Sequence, residues 1–423
     1  MDVIDVGNLD EARREALFDR DAGLAEIAGD VAEIVQAVRD DGNAALRRFA
    51  REFDGVEQTA LALTDRTRAA AETVDADVLT AIETAVENVR SFHEAQRPED
   101  WRTVTAGREL GRRFRPLDRV GVYVPGGTAA YPSSAIMGVV PAVVAGVDEV
   151  VVVTPPAEDP APATLAAIDV AGADEVYSVG GAQAIAALAY GTETIDPVQK
   201  IVGPGNRWVT AAKAAVRGDC AIDFLAGPSE VLVVADGTAD PELLAADLLA
   251  QAEHDPHASV VAVATDPETA TAIAGSVEAQ LPERARAEVA RQALAQDASG
   301  VFMAADEDEA TTFAEAYAAE HLSIQTTDPE ATLAAIDSAG SVFLGPYTPV
   351  AAGDYATGTN HILPTGGGAR LQGGVSVETF LRASTVQRLD AGGLDALRET
   401  ITTLARAEGL EAHARSVEAR FDD

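Results

Sequence analysis

The sequence predicts an α/β protein made of two doubly wound, Rossmann-like units, with a helical N-terminal arm and a small helical C-terminal domain. Three observations predict this fold class. Apolar residues recur every three or four positions along residues 9–95, which is the spacing of amphipathic helices. From residue 119 onward, short apolar runs alternate with helical segments roughly every 25 residues. A second alternation of the same kind starts at residue 230 and ends in another amphipathic stretch.

The N-terminal arm and the first α/β unit follow one another along the chain. Helices are predicted over residues 25–53 and 67–93, and Pro98 ends this helical region. Strands and helices alternate after it, so the strands should form a parallel sheet. The predicted strands cover residues 120–124, 149–154, 175–178 and 200–202, and the predicted helices cover residues 135–144, 163–170 and 182–190.

The second α/β unit repeats this pattern at a similar size. Its helical segments are rich in Ala and Glu, and they separate the apolar runs. The predicted strands cover residues 230–235, 259–264, 300–303, 322–325 and 341–344. A Gly-rich segment follows at residues 366–374, and the tail over residues 389–421 predicts mostly amphipathic helix.

The charge balance excludes several classes of partner. The chain of 423 residues carries 31 basic and 69 acidic residues, a formal net charge of −38. Such a field repels phosphate backbones and anionic lipids, so we expect no nucleic-acid partner and no membrane-surface partner. Only Lys200 and Lys213 are lysines. Acid excess with so little lysine predicts a halophilic protein, because concentrated salt screens self-repulsion.

The compartment is predicted from cysteine usage and from the N-terminus. Cys220 is the only cysteine, so no internal disulfide can form and a reducing cytoplasm is the expected setting. The first residues carry neither a basic region nor an apolar signal segment. No apolar run reaches the length of a membrane-spanning helix.

The distribution of histidine points to an enzyme. Five of the six histidines lie in short polar clusters of the C-terminal half, and only His93 stands apart in a charged helical stretch. Imidazole binds borderline metals and moves protons near neutral pH. Its concentration beside Gln, Asp and Glu predicts one metal-centred site that folding assembles.

The first of these clusters leaves its metal ligands open. Gln251 and His254 are three residues apart on one helix face, and His257 is three residues further on. By spacing alone, both histidines are candidate metal ligands, although such pairs also occur by chance on protein surfaces. Asp354 lies in a small-residue loop where a short carboxylate can coordinate. H-E-x-x-H and paired C-x-x-C motifs are absent, so a zinc hydrolase of the helical type is not supported.

The remaining polar clusters each have a functional and an ordinary interpretation. Glu320 and His321 precede a strand, where they can serve as two proton acceptors or simply pair with a helix end. The segments Asn360-His361 and Glu408–His413 fit either a site or solvated surface. The turns Tyr123-Val-Pro-Gly-Gly-Thr128 and Gly203-Pro-Gly-Asn206 can face a phosphate, but neither is a G-x-G-x-x-G fingerprint and both fit ordinary turns.

Eight segments together carry a resemblance to a known family. They are Gly121-Val-Tyr-Val-Pro-Gly-Gly-Thr, Val179-Gly-Gly-Ala-Gln-Ala-Ile-Ala-Ala-Leu, Gly203-Pro-Gly-Asn, Ala226-Gly-Pro-Ser-Glu-Val-Leu, Gln251-Ala-Glu-His, Glu320-His-Leu, Ser338-Ala-Gly-Ser-Val-Phe-Leu-Gly and Ala352-Gly-Asp-Tyr-Ala-Thr-Gly-Thr-Asn-His. In this order, the chain closely resembles the histidinol dehydrogenase family from about residue 10 to His413. Several of these motifs are long enough to be specific to that family.

The resemblance implies an activity and an assembly. It implies a zinc-dependent, NAD-linked oxidation of L-histidinol through L-histidinal to L-histidine, with two NAD⁺, as the last step of histidine biosynthesis. It also implies a homodimer with shared active sites, in which the C-terminal segment of one subunit reaches the other.

The resemblance also implies roles for individual residues. The zinc ligands would be Gln251, His254, Asp354 and His413, with His413 donated by the partner. Glu320 and His321 match the proton acceptors, and Tyr123, Gln183 and Asn206 match the NAD contacts. The substrate-binding residues would be Ser229, Gln251, His254, His321, Asp354, Glu408 and His413. His257 falls where the family has no ligand, and His361 lies in a family motif without an assigned role.

We predict a division of the chain into four parts. They are an N-terminal arm at residues 1–22, a first α/β domain with most of the zinc and catalytic site at residues 23–122 and 229–375, a second α/β domain that binds NAD at residues 123–228, and a helical dimerisation segment at residues 376–423.

Three rival interpretations remain at this stage. A different NAD-linked alcohol or aldehyde dehydrogenase on the same scaffold would act on another small amine or alcohol. A metal-dependent hydrolase would ignore NAD, and a non-catalytic scaffold is disfavoured by the polar clusters. Oxidation of an aldehyde through a cysteine thiohemiacetal would need Cys220, but no histidine is near it in sequence and a small buried residue is expected there.

Overall fold

The computed structural model describes residues 3–20, 23–58, 60–126 and 130–422. Contacts within the chain divide it into two compact units. Unit 1 comprises Met1–Gln96 and Leu117–Phe380, and unit 2 comprises Arg97–Pro116 and Leu381–Asp423. Gly127 and Thr128 of one predicted phosphate-facing turn, and residues 1–2 and 21–22 of the predicted arm, lie outside the described residues.

The strands of the described residues, in chain order, are β1 (Val3–Asp5), β2 (Trp101–Thr105), β3 (Arg108–Pro116), β4 (Arg119–Tyr123), β5 (Glu149–Thr154), β6 (Glu175–Ser178), β7 (Lys200–Val202), β8 (Ala221–Ile222), β9 (Glu230–Ala235), β10 (Ser259–Ala264), β11 (Gly300–Met303), β12 (His321–Gln325), β13 (Ser341–Leu344) and β14 (Leu381–Leu389).

The α-helices of the same residues are α1 (Glu11–Phe18), α2 (Leu24–Asp41), α3 (Asn43–Phe53), α4 (Thr64–Thr73), α5 (Ala76–Glu94), α6 (Pro132–Ala145), α7 (Pro162–Ala171), α8 (Gly181–Tyr190), α9 (Arg207–Val216), α10 (Pro241–Ala252), α11 (Pro267–Gln280), α12 (Ala287–Leu294), α13 (Glu307–Tyr317), α14 (Pro329–Leu333), α15 (Val350–Tyr355), α16 (Ala391–Ala407) and α17 (Glu411–Glu418).

The helical N-terminal region is confirmed as five helices, α1 to α5. Aspartates begin two of them. The side chain of Asp10 accepts from Arg13 N at the start of α1, and that of Asp75 accepts from Asp77 N at the start of α5. The apolar face of α2, which includes Val31, packs into the core that α8 and α9 share. Helix α2 is therefore attached to the first parallel sheet through this core.

The first predicted alternation forms a five-stranded parallel sheet in the order β6-β5-β4-β7-β8. The four predicted strands are confirmed within one residue at either end. β8 adds a two-residue edge strand beside β7, at the strand-like segment that follows Cys220. The connecting helices α6 and α8 are almost wholly apolar and buried, so each is enclosed rather than half-exposed.

The second alternation forms a six-stranded parallel sheet in the order β1-β11-β10-β9-β12-β13. Residues of β9 alternate between two separate core clusters, with Val231 and Val233 in one and Leu232 and Val234 in the other. Both faces of the sheet are therefore covered, which explains why its strands are continuous apolar runs. β1 adds an edge strand from the N-terminus. A strand of three residues is too short to show a periodic pattern, so the sequence did not predict it.

Unit 2 contains the predicted C-terminal helices, α16 and α17, and a three-stranded antiparallel sheet that was not predicted. Its order is β14-β3-β2. Ala106 and Gly107 join β2 to β3 with φ values of 50° and 72°, as a two-residue hairpin requires. Most residues of these strands are exposed, and the absence of a buried face removes the alternation on which prediction depends.

Within the described part of the chain, none of the helices combines the length and the apolar character needed to cross a lipid bilayer. The four-part domain division remains a prediction.

Candidate active site

The residues predicted to transfer protons, Glu320 and His321, lie at the amino end of one strand of the six-stranded sheet. His321 is the first residue of β12, and Glu230 is the first residue of the adjacent strand β9. Glu320 directly precedes β12 and is 6% exposed. The residues on the cofactor side lie instead at carboxyl ends of strands, where nucleotides bind in open α/β sheets.

One residue orients both members of the Glu320–His321 pair through its backbone. The Nδ1 atom of His321 lies 3.0 Å from the carbonyl oxygen of Glu230, and the Glu230 N–H donates to Glu320 Oε2 at 2.7 Å. The other ring nitrogen of His321, Nε2, is buried and makes no hydrogen bond. It lies 3.4 Å from Asp354 Oδ1. The tautomer with a proton on Nδ1 therefore leaves Nε2 able to accept a proton.

Burial and neighbouring charges shift the pKa of both groups upward. Burial raises the pKa of Glu320 to about 8, against the opposing effect of His321. Burial lowers the pKa of His321, but the carboxylates of Glu320 and Asp354 outweigh it and raise the pKa to about 9. The two groups form a coupled pair with a high affinity for protons, so each acts as a proton acceptor only in its deprotonated form.

Three of the four predicted zinc ligands lie in unit 1. Gln251 is buried in the last turn of α10, His254 follows that helix, and Asp354 lies in α15. Burial raises the pKa of Asp354, but His321, His361 and His254 outweigh it and hold the pKa below its usual value. Burial lowers the pKa of His254, with Asp354 opposing the shift.

These residues fit a zinc ion by the chemistry of their donor atoms. A neutral imidazole and an ionised carboxylate are the forms that zinc requires, and His254 and Asp354 are held in those forms. Among the residues that the structure describes, however, no group of three or more His, Cys, Asp or Glu side chains is arranged to hold a metal.

The two histidines without a predicted role have different surroundings. The side chain of His257 is 74% exposed, and its Nδ1 lies 3.0 Å from Asp255 Oδ1. His361 is largely buried, and its Nδ1 lies 3.0 Å from the backbone oxygen of Asp354. His361 therefore supports the end of α15, which carries Asp354; the sequence had predicted a loop at this position.

The three predicted cofactor residues surround a second part of the site. Tyr123 ends β4, and its hydroxyl accepts from Gly181 N at 3.1 Å. Gly181 begins α8, whose first turn carries the buried Gln183. Asn206 begins α9, with its Oδ1 accepting from Trp208 N and Val209 N. Asn206 thus serves as a helix cap, and its amide nitrogen remains available to a ligand.

One large cavity of unit 1, with a volume of about 2310 Å³, brings the predicted residues together. The predicted site residues that line it are Tyr123, Gln183, Asn206, Ser229, Gln251, His254, Glu320, His321 and Asp354. A dinucleotide and a small substrate both fit in a space of this size.

The other two predicted residues, Glu408 and His413, belong to unit 2. Glu408 follows α16, and His413 lies in α17. Both are exposed.

Cys220 is buried, as expected. Its thiol donates to the backbone oxygen of Val198 at 3.3 Å, and burial raises its pKa to about 11. A thiol with so high a pKa is a poor nucleophile. Thiohemiacetal chemistry at this residue is therefore disfavoured.

Sequence reasoning missed the importance of Glu230. Its carboxylate accepts from Arg20 Nε at 2.7 Å and from Gly366 N at 2.8 Å, while its backbone holds the Glu320–His321 pair. One feature of the sequence could have indicated its role. Glu230 is a charged residue at the start of the apolar run of β9, where a buried carboxylate without a partner would be energetically costly.

The chain is similar to several known proteins. A family model described as histidinol dehydrogenase matches residues 19–421. A histidinol dehydrogenase of Halobacterium salinarum is 66% identical over 99% of both chains. One from Natronomonas pharaonis is 63% identical over 100% of both. The crystal structure of histidinol dehydrogenase from Elizabethkingia anophelis has a TM-score of 0.93 at 37% identity, covering 98% of this chain and 96% of that one.

These findings define the class of the protein as an NAD-dependent oxidoreductase with an α/β fold. Within that class, the chain belongs to the histidinol dehydrogenase family, as its sequence motifs predicted. Its similarity to relatives from halophilic archaea agrees with the halophilic origin predicted from the acid excess.

Proposed function

We propose that this protein oxidises L-histidinol through L-histidinal to L-histidine with two NAD⁺ and one zinc ion per subunit, as the last step of histidine biosynthesis. The observation that carries the proposal is the His321 imidazole. Its Nδ1 is directed at the Glu230 carbonyl oxygen, and its buried Nε2 lies 3.4 Å from Asp354 Oδ1 in a cavity that also contains the cofactor residues.

The substrate matches the charge of this part of the cavity. L-Histidinol carries an ammonium group, an alcohol and an imidazole, and Asp354 presents an ionised carboxylate to it. Ser229, Gln251 and His254 line the same wall and can hydrogen-bond the polar groups of the substrate. Holding both ends of the substrate fixes its carbinol C–H relative to the nicotinamide.

In the first oxidation, His321 Nε2 accepts the proton of the alcohol while the carbinol carbon transfers a hydride to NAD⁺. The products are L-histidinal, NADH and a protonated His321. The hydrogen bond from His321 Nδ1 to the Glu230 carbonyl oxygen stabilises the imidazolium that this step creates.

In the second oxidation, water adds to the aldehyde, and the hydrate transfers a hydride to another NAD⁺. Glu320 accepts the proton of the attacking water, which leaves the carboxylate of L-histidine, NADH and released protons. Burial favours this role because it raises the affinity of Glu320 for a proton.

Gln251, His254 and Asp354 would hold the zinc ion, together with His413 of the partner subunit. When bound, zinc supplies a Lewis acid that polarises a coordinated oxygen and helps to orient the substrate.

A homodimer with shared active sites is part of this proposal. The exposed Glu408 and His413 of each unit 2 would serve the partner's cavity, with Glu408 contacting the substrate.

The test is the ratio of NADH formed to L-histidinol consumed, measured by absorbance and by chromatography of the products. The proposal predicts about two NADH per histidinol, with histidine as product and little free aldehyde. A ratio near one with aldehyde accumulating would instead indicate a simple alcohol dehydrogenase. Histidinol consumed with no NADH would indicate a hydrolase or another reaction class.

A further inference from the structure

Gly203, which follows β7, is held through both of its backbone polar groups by a buried ion pair. Its N–H donates to Asp223 Oδ2 at 2.9 Å, and its carbonyl oxygen accepts from Lys213 Nζ at 2.6 Å. Lys213 Nζ also lies 2.7 Å from Asp223 Oδ1. The two side chains are only 3% and 1% exposed, so neither water nor salt competes for these contacts.

Gly203 connects this ion pair to all three proposed cofactor residues. It has a φ of +114°, and a Cβ atom built on it would lie 2.2 Å from the Tyr123 carbonyl oxygen. It is therefore packed directly against the backbone of Tyr123, whose hydroxyl accepts from Gly181 near Gln183. Three residues further along the chain, Asn206 begins α9, which also carries Lys213.

A lysine at position 213 suits these contacts better than an arginine would. The chain has only two lysines, and each one places its Nζ on a backbone carbonyl oxygen of the interior. Lys200 donates to the carbonyl oxygen of Thr379 at 2.6 Å. A compact ammonium can donate to a carbonyl and a carboxylate in different directions, whereas a planar guanidinium needs more space and a fixed fork geometry.

We propose that Lys213 and Asp223 are positioning residues for the dinucleotide, an assignment that rests on the proposed NAD-binding role of this loop. They hold Gly203 against Tyr123 and thereby fix the segment Gly203–Asn206 in the conformation that receives NAD⁺. Neither side chain touches the cofactor. The ion pair keeps the loop ordered before the dinucleotide binds. Less conformational entropy is therefore lost on binding.

The experiment measures NADH binding by fluorescence titration of the full-length protein in molar KCl. Lys213→Met removes the ammonium at similar length, and we expect the Kd for NADH to rise about tenfold or more, the effect of losing one charged hydrogen bond. The KM for L-histidinol should stay within about twofold of wild type, since the substrate wall is separate. General damage to the fold would lower the active fraction without this selective change in Kd.

Lys200→Met is the matched control. It removes the other lysine of the chain, which lies in β7, and the hydrogen bond of that lysine to Thr379 lies outside the Gly203 loop. We expect its Kd for NADH to match that of wild type. An equal rise in both variants would overturn the proposal, because any buried lysine would then have the same effect.

Lys213→Met leaves Asp223 buried without its cation, which can prevent folding. The double variant Lys213→Met/Asp223→Asn removes both charges and retains an acceptor for the Gly203 N–H. A folded single or double variant with the wild-type Kd for NADH overturns the proposal. A wild-type protein that binds NADH but does not oxidise L-histidinol contradicts the proposed function alone, and one that binds no NADH contradicts both.

Discussion

The imidazole Nδ1 of His321 lies 3.0 Å from the backbone carbonyl oxygen of Glu230, and the N–H of the same Glu230 donates to Glu320 Oε2 at 2.7 Å. A side-chain substitution of Glu230 leaves both of these backbone groups in place. The two proton acceptors are therefore oriented by the start of β9, and they can be removed separately by substitution at positions 320 and 321.

Glu320→Gln and His321→Asn should separate the two oxidations. Glu320→Gln should reduce the oxidation of added L-histidinal by about 100- to 10,000-fold, because only this step needs an activated water. It should affect the oxidation of L-histidinol to the aldehyde much less. His321→Asn should reduce both steps. Single-turnover measurements of NADH formation from each substrate check this, and an equal loss of both steps in Glu320→Gln would remove water activation as its distinct role.

His254→Asn should abolish both metal binding and turnover, because it removes a neutral imidazole from the proposed ligand set. His257→Asn is its control, since the His257 side chain is 74% exposed and pairs with Asp255. Elemental analysis of the purified proteins should find about one zinc per chain in the control and almost none in His254→Asn. Full zinc in His254→Asn would reject this ligand set.

His413 should act in the partner's active site. His413→Asn and His254→Asn chains should each be inactive alone, and they should restore activity when mixed under conditions that exchange subunits. In a mixed dimer one site carries both defects and the other is intact, so we expect about half of wild-type activity per heterodimer. Heterodimers that form but remain inactive would show that His413 serves its own subunit.

Dimer assembly and activity should depend on molar salt. Two chains that each carry a net charge of −38 repel one another on approach, and this repulsion is screened only at high ionic strength. Size-exclusion chromatography and activity assays from dilute buffer to multimolar KCl check the expectation. An active dimer that persists in dilute buffer would show that the acid excess has no role in assembly.

Asp247→Asn should stabilise the protein near neutral pH. Burial in α10 raises the pKa of Asp247 to about 6, so its carboxyl group binds a proton more tightly in the folded state than in the unfolded state. The ordinary pKa of an aspartate, 3.8, applies in the unfolded state, and the raised pKa of about 6 applies in the folded state. The contribution of Asp247 to the free energy of unfolding therefore falls as the pH rises between these two values.

The asparagine variant avoids this loss, and its midpoint of thermal unfolding should exceed that of wild type by about 2 °C near pH 7. The difference should narrow as the pH is lowered toward about 5. Asp30→Asn, at an exposed position of α2, is the control and should leave the midpoint unchanged at both pH values. A difference independent of pH would rule out titration of Asp247 as its cause.

The two parallel sheets could be predicted because their strands are covered on both faces. β9 and β10 are buried along their whole length, so each one appears in the sequence as an uninterrupted apolar run. The antiparallel sheet of unit 2 could not be predicted in the same way. β2 is exposed at every position, and no pattern of burial marks it as a strand.

The types of side chain at the site could also be predicted from the sequence. Glu320-His321 and Gln251-Ala-Glu-His254 stand out because imidazole is rare in this chain. Spacing alone did not separate His254 from His257, which have the same three-residue interval. The fold places the side chain of His257 against Asp255 and leaves it 74% exposed. Because α10 ends at Ala252, both histidines follow the helix, and the helical spacing on which the prediction depended does not apply to them.

By itself, the sequence determined the class of fold, the family and the residue types available for chemistry, because these follow from local periodicity and from motifs that are contiguous in the chain. Only the tertiary structure decided which groups meet. Glu230 orients Glu320 and His321, which lie about 90 residues further along the chain. Arg20, which binds the Glu230 carboxylate, lies 210 residues before it in the sequence. Such contacts arise from the register of parallel strands and from burial, which no local pattern contains. The tautomer of His321 and the ion pair of Lys213 with Asp223 depend on these contacts in the same way.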